Sequence, residues 1–160
     1  MMNMTTRDKR STEIFIWPAD ILSDVSKTVT SIDGNITLLI DSMINAMRDS
    51  KSLSISAPQV GALERVIVVD NKKLKSRIIS ESEPVALINP EITSWFGEIS
   101  IDEGCSSLPG QFKIMPRASH ITVRYQTVDG VLTENDADGI TAVMIQHEID
   151  HLDGKLIIDI

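Results

Sequence analysis

The hexapeptide QHEIDH, residues 146 to 151, holds two histidines four positions apart, with an acid directly after the first. If this segment is helical, His147 and His151 project from one face and both imidazoles can reach a single ion. Glu148 then lies about 100° around the helix, where it can address a water at the metal without being a ligand. The spacing predicts a hydrolytic metal site. A helix carrying two unrelated histidines is the less favoured interpretation.

A catalytic site of this kind needs a third protein ligand. His120 lies in the alternating segment SHITVRY, which predicts a surface or strand-edge residue. Cys105, the only cysteine, is the better candidate, since Gly104 and Ser106 beside it would let the backbone approach an ion and a substrate. A lone cysteine can also be a buried hydrophobe or a nucleophile. A thiolate with two imidazoles suits Fe(II), Zn, Ni or Co rather than Mg or Ca.

Hydrolysis also needs a donor for the oxygen that becomes negative. The segment SLSISAPQVG contains Gln59, whose side-chain amide can supply one, in a loop fixed by Pro58 and Gly61. A buried glutamine that satisfies a turn is the commoner explanation for such a residue.

Two helices are predicted to frame these residues. Apolar residues recur at helical spacing from Ile32 to about Arg48, and the methionines among them are expected to pack in the core. The segment ITAVMIQHEIDHLDG after Gly139 predicts a second, central helix that Gly154 ends.

The middle of the chain predicts strands. RVIVVD, PVALINPEI and HITVRYQTVDG are short and β-prone, with a turn at Asp129 and Gly130. Residues 1–11 are polar and expected to be loose, and the mixed charge of residues 71–83 predicts a solvated loop. The fold class is therefore α+β, with a mostly antiparallel sheet.

Composition narrows the class of protein. A chain of 160 residues, 42% hydrophobic, suits one domain over residues 1–160. The net charge of -8 argues against a nucleic-acid partner, which requires a basic face. The sequence has no signal-peptide h-region and no apolar run near the roughly 18 residues of a membrane span. We expect a soluble protein of a cytosol-like compartment, with no membrane partner.

Together, three segments resemble the signature motifs of the peptide deformylase family. The family motifs GxGxAAPQxG, EGCLS and HExDH match SLSISAPQVG, EGCSS and HEIDH, in the same order. The segments WPADILSDVSKTV, LINPEI and LPGQFKIMPR resemble the family too, so the similarity runs from about Ile14 to Ile160.

The resemblance implies a reaction and the residues that perform it. Cys105, His147 and His151 would bind a divalent metal, typically Fe(II). Glu148 would be the general acid/base, taking a proton from the attacking water and returning it to the leaving amine. Gln59 and the backbone N–H of Ser106 would hold the oxyanion. The products would be formate and a free N-terminal methionine, from nascent peptides met close to the ribosome in a bacterial-type cytoplasm.

The resemblance also implies antiparallel sheets around a central HExDH helix, with the substrate added as a strand beside the first motif. Leu53, Ser54 and Ile55 would supply the strand edge. Ile101, Val143 and Met144 are candidate walls of the methionine pocket.

Three charged residues flank this implied site. We count Glu103 among the substrate-site residues. With Asp150 it is also expected to fix the ligands, and Arg117 is a candidate ion-pair partner. Ordinary fold-stabilising contacts explain these residues equally well.

The chain departs from the family pattern at four serines. Ser52, Ser54 and Ser56 stand where the first motif usually has Gly, Gly and Ala, which is expected to narrow the peptide cleft. Ser106 stands in place of Leu, which removes an apolar cover over the site.

The similarity ends at Ile160. The C-terminal helical extension of many bacterial members is therefore expected to be absent, together with any ribosome contact through it. Shortened forms of this kind are encoded by some viruses of bacteria.

Two alternatives remain beside a deformylase. An HExxH metallopeptidase would use the same chemistry, but its helix needs a ligand further downstream, and only nine residues follow His151. A degenerate, non-catalytic member that binds peptide or metal is suggested by the serines.

Overall fold

The computed structural model of the chain describes residues 13–74, 78 and 84–160. The segment predicted to be loose, 1–11, lies outside these residues, as does most of the loop predicted at 71–83. The described elements are two α-helices, α1 (Gly34–Asp49) and α2 (Gly139–Leu152), and seven strands, β1 (Ser54–Ser56), β2 (Val66–Val69), β3 (Val85–Phe96), β4 (Ile99–Cys105), β5 (Leu108–Arg117), β6 (His120–Gln126) and β7 (Leu132–Asp138).

The strands form two antiparallel sheets. One has five strands in the order β1-β2-β3-β6-β7, and the other is the β4-β5 pair. The predictions of an α+β fold and of a mostly antiparallel sheet are therefore confirmed. β1, which lies within the first motif, is at an edge of the five-stranded sheet.

Helix α1 forms where its periodicity predicts. Asp33 caps its first turn, since its Oδ1 accepts hydrogen bonds from the N–H groups of Asn35 and Ile36 at 3.0 and 3.3 Å. The helix buries one face against the sheet, and Met43 and Met47 are completely buried there, as predicted for core methionines. Its observed end at Asp49 is one residue beyond the predicted end.

Helix α2 is the central helix of the fold and contacts β1, β2, β6 and β7. It is buried on several sides, including at His147, Glu148 and His151. Beyond its end, Gly154 has φ +73°, and a Cβ there would lie 2.6 Å from the carbonyl oxygen of Ser23. A glycine is needed at this position, which explains why the predicted end of the helix is correct.

The described residues include no helix with the length and apolar character needed to cross a membrane.

Candidate metal centre

Three ligand-type atoms meet where α2 passes the end of β4. The Nε2 atoms of His147 and His151 are 3.2 Å apart, and the Sγ of Cys105 is 3.3 Å from the Nε2 of His151. All three atoms lie within 4.8 Å of one another. Both imidazoles are buried and the thiol is half-buried. The sequence-predicted ligands are therefore in contact, although Cys105 precedes His151 by 46 residues.

Local structure brings these side chains together. The four-residue spacing of His147 and His151 on α2 places both rings on one side of the helix, with ring centroids 4.9 Å apart. Cys105 is the last residue of β4, at a shift in the β4-β5 register: Gly104 pairs with Phe112, but Cys105 pairs with Leu108. The irregularity is a β-bulge of the kind that redirects a side chain near a site.

This donor set fits a divalent metal ion. Ligands bound at the usual 2.0–2.3 Å in tetrahedral geometry are roughly 3.5 Å from each other, close to the separations seen here. A sulfur with two imidazole nitrogens is the soft set that Fe(II), Zn, Ni and Co accept. The Nδ1 of His151 is buried and has no hydrogen-bond partner in the part of the chain that the structure describes.

Glu103 fixes the tautomer of His147. The Nδ1–H of His147 donates to Oε1 of Glu103 at 2.8 Å, so in the neutral imidazole Nε2 carries the lone pair, and it points toward the other ligand atoms. Arg117 donates to both oxygens of Glu103, at 2.8 and 2.9 Å, and also pairs with Asp150. The ion pairs considered from sequence are present, and they connect β4, β5 and α2 behind the ligands.

The two histidines are electrostatically different. Burial favours the neutral form of His147, but contacts with Cys105 and Glu103 and the charge of Glu148 raise its pKa to about 10. Burial, with the charges of His147 and Arg117, lowers the pKa of His151 to about 3. The metal-free centre therefore holds one imidazolium, at His147, and a bound cation would take the place of that proton.

Glu148 lies beside the ligands without joining them. Its carboxylate is 2% exposed, and its Oε1 is 3.9 Å from the Nε2 of His147. Burial raises its pKa, against the lowering effects of the His147 charge, the hydroxyls of Ser54 and Ser56 and the charge of Arg117. A carboxylate with a raised pKa beside a ligand histidine is suited to accept and return a proton near neutral pH.

Gln59 makes hydrogen bonds both within its own turn and to the second motif. It lies in a 3₁₀ turn, Ala57–Val60, that begins with a capping box in which Oε1 of Gln59 accepts from the N–H and the hydroxyl of Ser56 at 3.0 and 3.2 Å. These two donors fix the orientation of the amide, so its NH₂ faces the second motif. There it donates to the hydroxyls of Ser106 and Ser107 at 3.2 and 3.1 Å.

A cavity of about 480 Å³ is lined by residues of all three motifs. Three residues predicted to contact substrate line it, namely Leu53, Ser54 and Met144. Other described lining residues are Ser50, Lys51, Ser52, Gln59, Gly104, Cys105, Ser106, Phe112, His147 and Glu148. The predicted substrate-site residues Ile55, Ile101, Glu103 and Val143 are not among the described lining residues; Ile55 and Val143 are completely buried.

Two site features were not predicted from sequence. Phe112 lines the cavity with its ring 68% exposed, and Ser107, completely buried, accepts from Gln59. The position of Phe112 could have been inferred from its pairing with Gly104, but that pairing required β5 to be predicted as a strand. His120 is exposed and stacked on Phe96, outside the centre, which agrees with the predicted surface position.

Comparison with known proteins identifies what this arrangement is similar to. The family model described as polypeptide deformylase matches residues 11–160. A peptide deformylase of Hydrogenovibrio crunogenus is 42% identical over 147 residues, which are 92% of this chain and 83% of the relative. The crystal structure of the Thermotoga maritima peptide deformylase is 36% identical and matches with a TM-score of 0.82, over 91% of this chain and 94% of that one. A Met-Ala-Ser-bound structure of the Acinetobacter baumannii enzyme is 30% identical, with a TM-score of 0.81 over 92% of this chain and 96% of that one.

Proposed function

The chain belongs to the peptide deformylase family, and we propose that it removes the formyl group from N-formylmethionyl peptides at the centre formed by Cys105, His147, His151 and Glu148. The observation that carries the proposal is the meeting of the three ligand atoms within 4.8 Å, with the Glu148 carboxylate beside them. It is a metal-dependent hydrolase: water cleaves the formyl amide to give formate and a free amine.

Cys105, His147 and His151 would hold the metal ion. When bound, the ion would lower the pKa of water and polarise the carbonyl of the formyl group. Glu148 accepts the proton of the attacking water and delivers it to the nitrogen of the leaving amine as the C–N bond breaks. Glu103 keeps the lone pair of His147 toward the ion by accepting its Nδ1–H.

Gln59 stabilises the oxyanion. Because Ser56 fixes the amide oxygen of Gln59, the amide NH₂ is presented toward the cavity without further reorganisation. The backbone N–H of Ser106 is the second donor, and the change from Leu to Ser at this position leaves that donor intact. The Ser106 hydroxyl holds one Nε2 hydrogen of Gln59, so the oxyanion displaces that contact as it develops.

We place the substrate peptide beside β1, the strand at one edge of the five-stranded sheet, where an extended peptide can add as a further strand. Leu53 and Met144 then offer apolar contacts at the cavity to the methionine side chain. We propose that the reaction takes place in the cytoplasm, near ribosomes, because nascent formylated chains arise there.

Family membership and fold do not favour either alternative, an HExxH metallopeptidase or a non-catalytic binding protein. The close pairing of Cys105 with the two histidines also supplies the third ligand that a metallopeptidase would take from further downstream.

The proposal is tested by two variants and a control, each assayed for bound metal and for formate release from formyl-Met-Ala-Ser under anaerobic conditions. Glu148→Ala should keep the metal and lose turnover, whereas Cys105→Ala should lose metal affinity. His120→Ala, which changes the exposed third histidine, should retain both. Full turnover in the Glu148 variant, or full metal content in the Cys105 variant, would contradict the assigned roles.

We further propose Fe(II) as the metal in the cell. A thiolate ligand accommodates Fe(II) but makes the iron form sensitive to air through oxidation of Cys105. Elemental analysis of protein purified anaerobically should find iron, and aeration should remove activity that a nickel-loaded sample retains. Zinc alone in the anaerobic sample would contradict this assignment.

A further inference from the structure

One hydroxyl of the first motif contacts the proposed acid/base. The Oγ of Ser54, on β1, donates to Oε1 of Glu148, on α2, at 3.1 Å, across 94 residues of sequence. Both residues are buried, at 7% and 2% exposure. Ser54 stands where the family motif quoted above has Gly, so the hydroxyl is an addition to that motif.

The contact distinguishes the two oxygens of the carboxylate. Oε1 accepts from Ser54, whereas Oε2 is buried and has no hydrogen-bond partner among the described residues. A glutamate has three side-chain torsions, and the last of them has a broad energy profile. One hydrogen bond at Oε1 therefore restricts the rotation of the group and leaves Oε2 able to accept a proton.

We propose that Ser54 is a positioning residue that holds the Glu148 carboxylate in the orientation from which it exchanges protons with water and with the leaving amine. The inference rests on the proposed role of Glu148. Ser54 itself transfers no proton and binds no metal. Its hydroxyl acts on the turnover step through Glu148.

Two other roles for the hydroxyl predict different kinetics. If it only narrowed the peptide cleft, its removal would change KM and leave kcat unaltered. If it only stabilised the fold or the metal, its removal would lower the melting temperature or the metal content. A positioning role predicts a lower kcat with KM, metal content and secondary structure unchanged.

The test compares Ser54→Ala and Ser54→Thr with the parent protein, all carrying one equivalent of nickel, by formate release from formyl-Met-Ala-Ser. Ser54→Ala should lower kcat about 3- to 20-fold with KM within about 2-fold, because the carboxylate loses one hydrogen bond that orients it. Ser54→Thr keeps a hydroxyl and should restore most of the loss. Ser94→Ala is the matched control, since Ser94 is an exposed strand serine whose hydroxyl bonds Thr122 away from the centre.

A double-variant comparison separates positioning from a general structural effect and does not depend on how well threonine fits. In a Glu148→Asp background the shorter carboxylate leaves the reach of Ser54, so Ser54→Ala should have less than half of its effect on log kcat. An unchanged kcat in Ser54→Ala, a loss confined to KM or metal content, or full additivity with Glu148→Asp would overturn the inference. Absence of formate release by the metal-loaded parent would instead overturn the proposed function, and this inference with it.

Discussion

At the level of single residues, Glu103 connects the metal ligands to the rest of the protein. Its carboxylate accepts from His147 and from the Nε–H and Nη2–H of Arg117, so its two oxygens have partners on α2 and β5. Burial alone would raise the pKa of Glu103, but the hydrogen bonds from His147 and Arg117 lower it below its ordinary value of 4.5. The folded chain therefore favours the ionised form of the Glu103 carboxyl.

This lowered pKa gives a prediction for acid stability. A carboxylate whose pKa is lower in the folded chain contributes stability above pH 4.5, and that contribution is lost as the pH falls through the folded-state pKa. In urea unfolding of metal-free protein, the destabilisation caused by Glu103→Gln should be largest near pH 6 and shrink below pH 4.5. Glu91→Gln, which alters an exposed ion pair with Arg124, is the control and should cost about 0.5 kcal/mol or less. A cost of Glu103→Gln that is independent of pH would contradict this account.

The oxyanion donors proposed above, Gln59 and the backbone N–H of Ser106, give a second prediction at this scale. Gln59→Leu removes the amide that faces the cavity and should lower kcat about 10²- to 10³-fold. Ser106→Ala keeps the backbone N–H and should leave kcat within about 3-fold of the parent. Formate-release kinetics measure both variants. A larger loss for Ser106→Ala than for Gln59→Leu would show that a hydroxyl, rather than the amide, stabilises the oxyanion.

At the level of elements, helical periodicity predicted α1 and α2, short apolar β-prone runs predicted β2 and β3, and alternation predicted β6. β7, LTENDAD, was not predicted, since its residues are polar and largely exposed and only Ala137 is buried. β4 and β5 were also missed: β5 contains two prolines, and β4 has a register shift at Gly104 and Cys105. These strands depend on pairing with a neighbour more than on their own composition.

The helix cap of α1 is an element whose contribution can be measured. Asp33→Ala removes the side-chain acceptor of two backbone N–H groups and should lower the free energy of unfolding by about 1 kcal/mol. Because α1 contributes no residue to the metal centre, kcat should be unchanged. Asp41→Ala, at an exposed position within the same helix, is the matched control and should change stability by less than about 0.5 kcal/mol. Equal effects of the two substitutions would contradict the capping role.

At the level of the whole molecule, the three motifs could be predicted to form one site because their residue types all suit metal-dependent hydrolysis. The ligand set followed from the need for a third donor beside an HExxH pair. The contacts of the serine hydroxyls could not be predicted from the sequence, because the orientation of these side chains depends on how β1 packs against α2. Ser54 was predicted to narrow the peptide cleft; it lines the cavity, and its hydroxyl also donates to Glu148, a contact that was not predicted.

Metal binding should stabilise the entire fold, because the three proposed ligands lie on β4 and α2. At 100 times its dissociation constant, a ligand that binds only the folded state adds about 2.7 kcal/mol, so chelation should lower the melting temperature. Since the pKa of His147 is raised to about 10 in the metal-free chain, the ion must displace a proton at neutral pH. Affinity should therefore rise from pH 6 to 8, with proton release visible by calorimetry in buffers of different ionisation enthalpy. A pH-independent affinity would contradict the protonated state assigned to His147.

The most direct test of the central claim is the rate of formate release from formyl-Met-Ala-Ser per bound metal ion. Protein carrying one equivalent of Fe(II) or Ni(II), prepared without oxygen, should release formate and the free tripeptide in equal amounts, with no cleavage of an internal peptide bond. Removal of the ion should stop the reaction, and adding it back should restore it. No formate from the fully metallated protein would contradict the account.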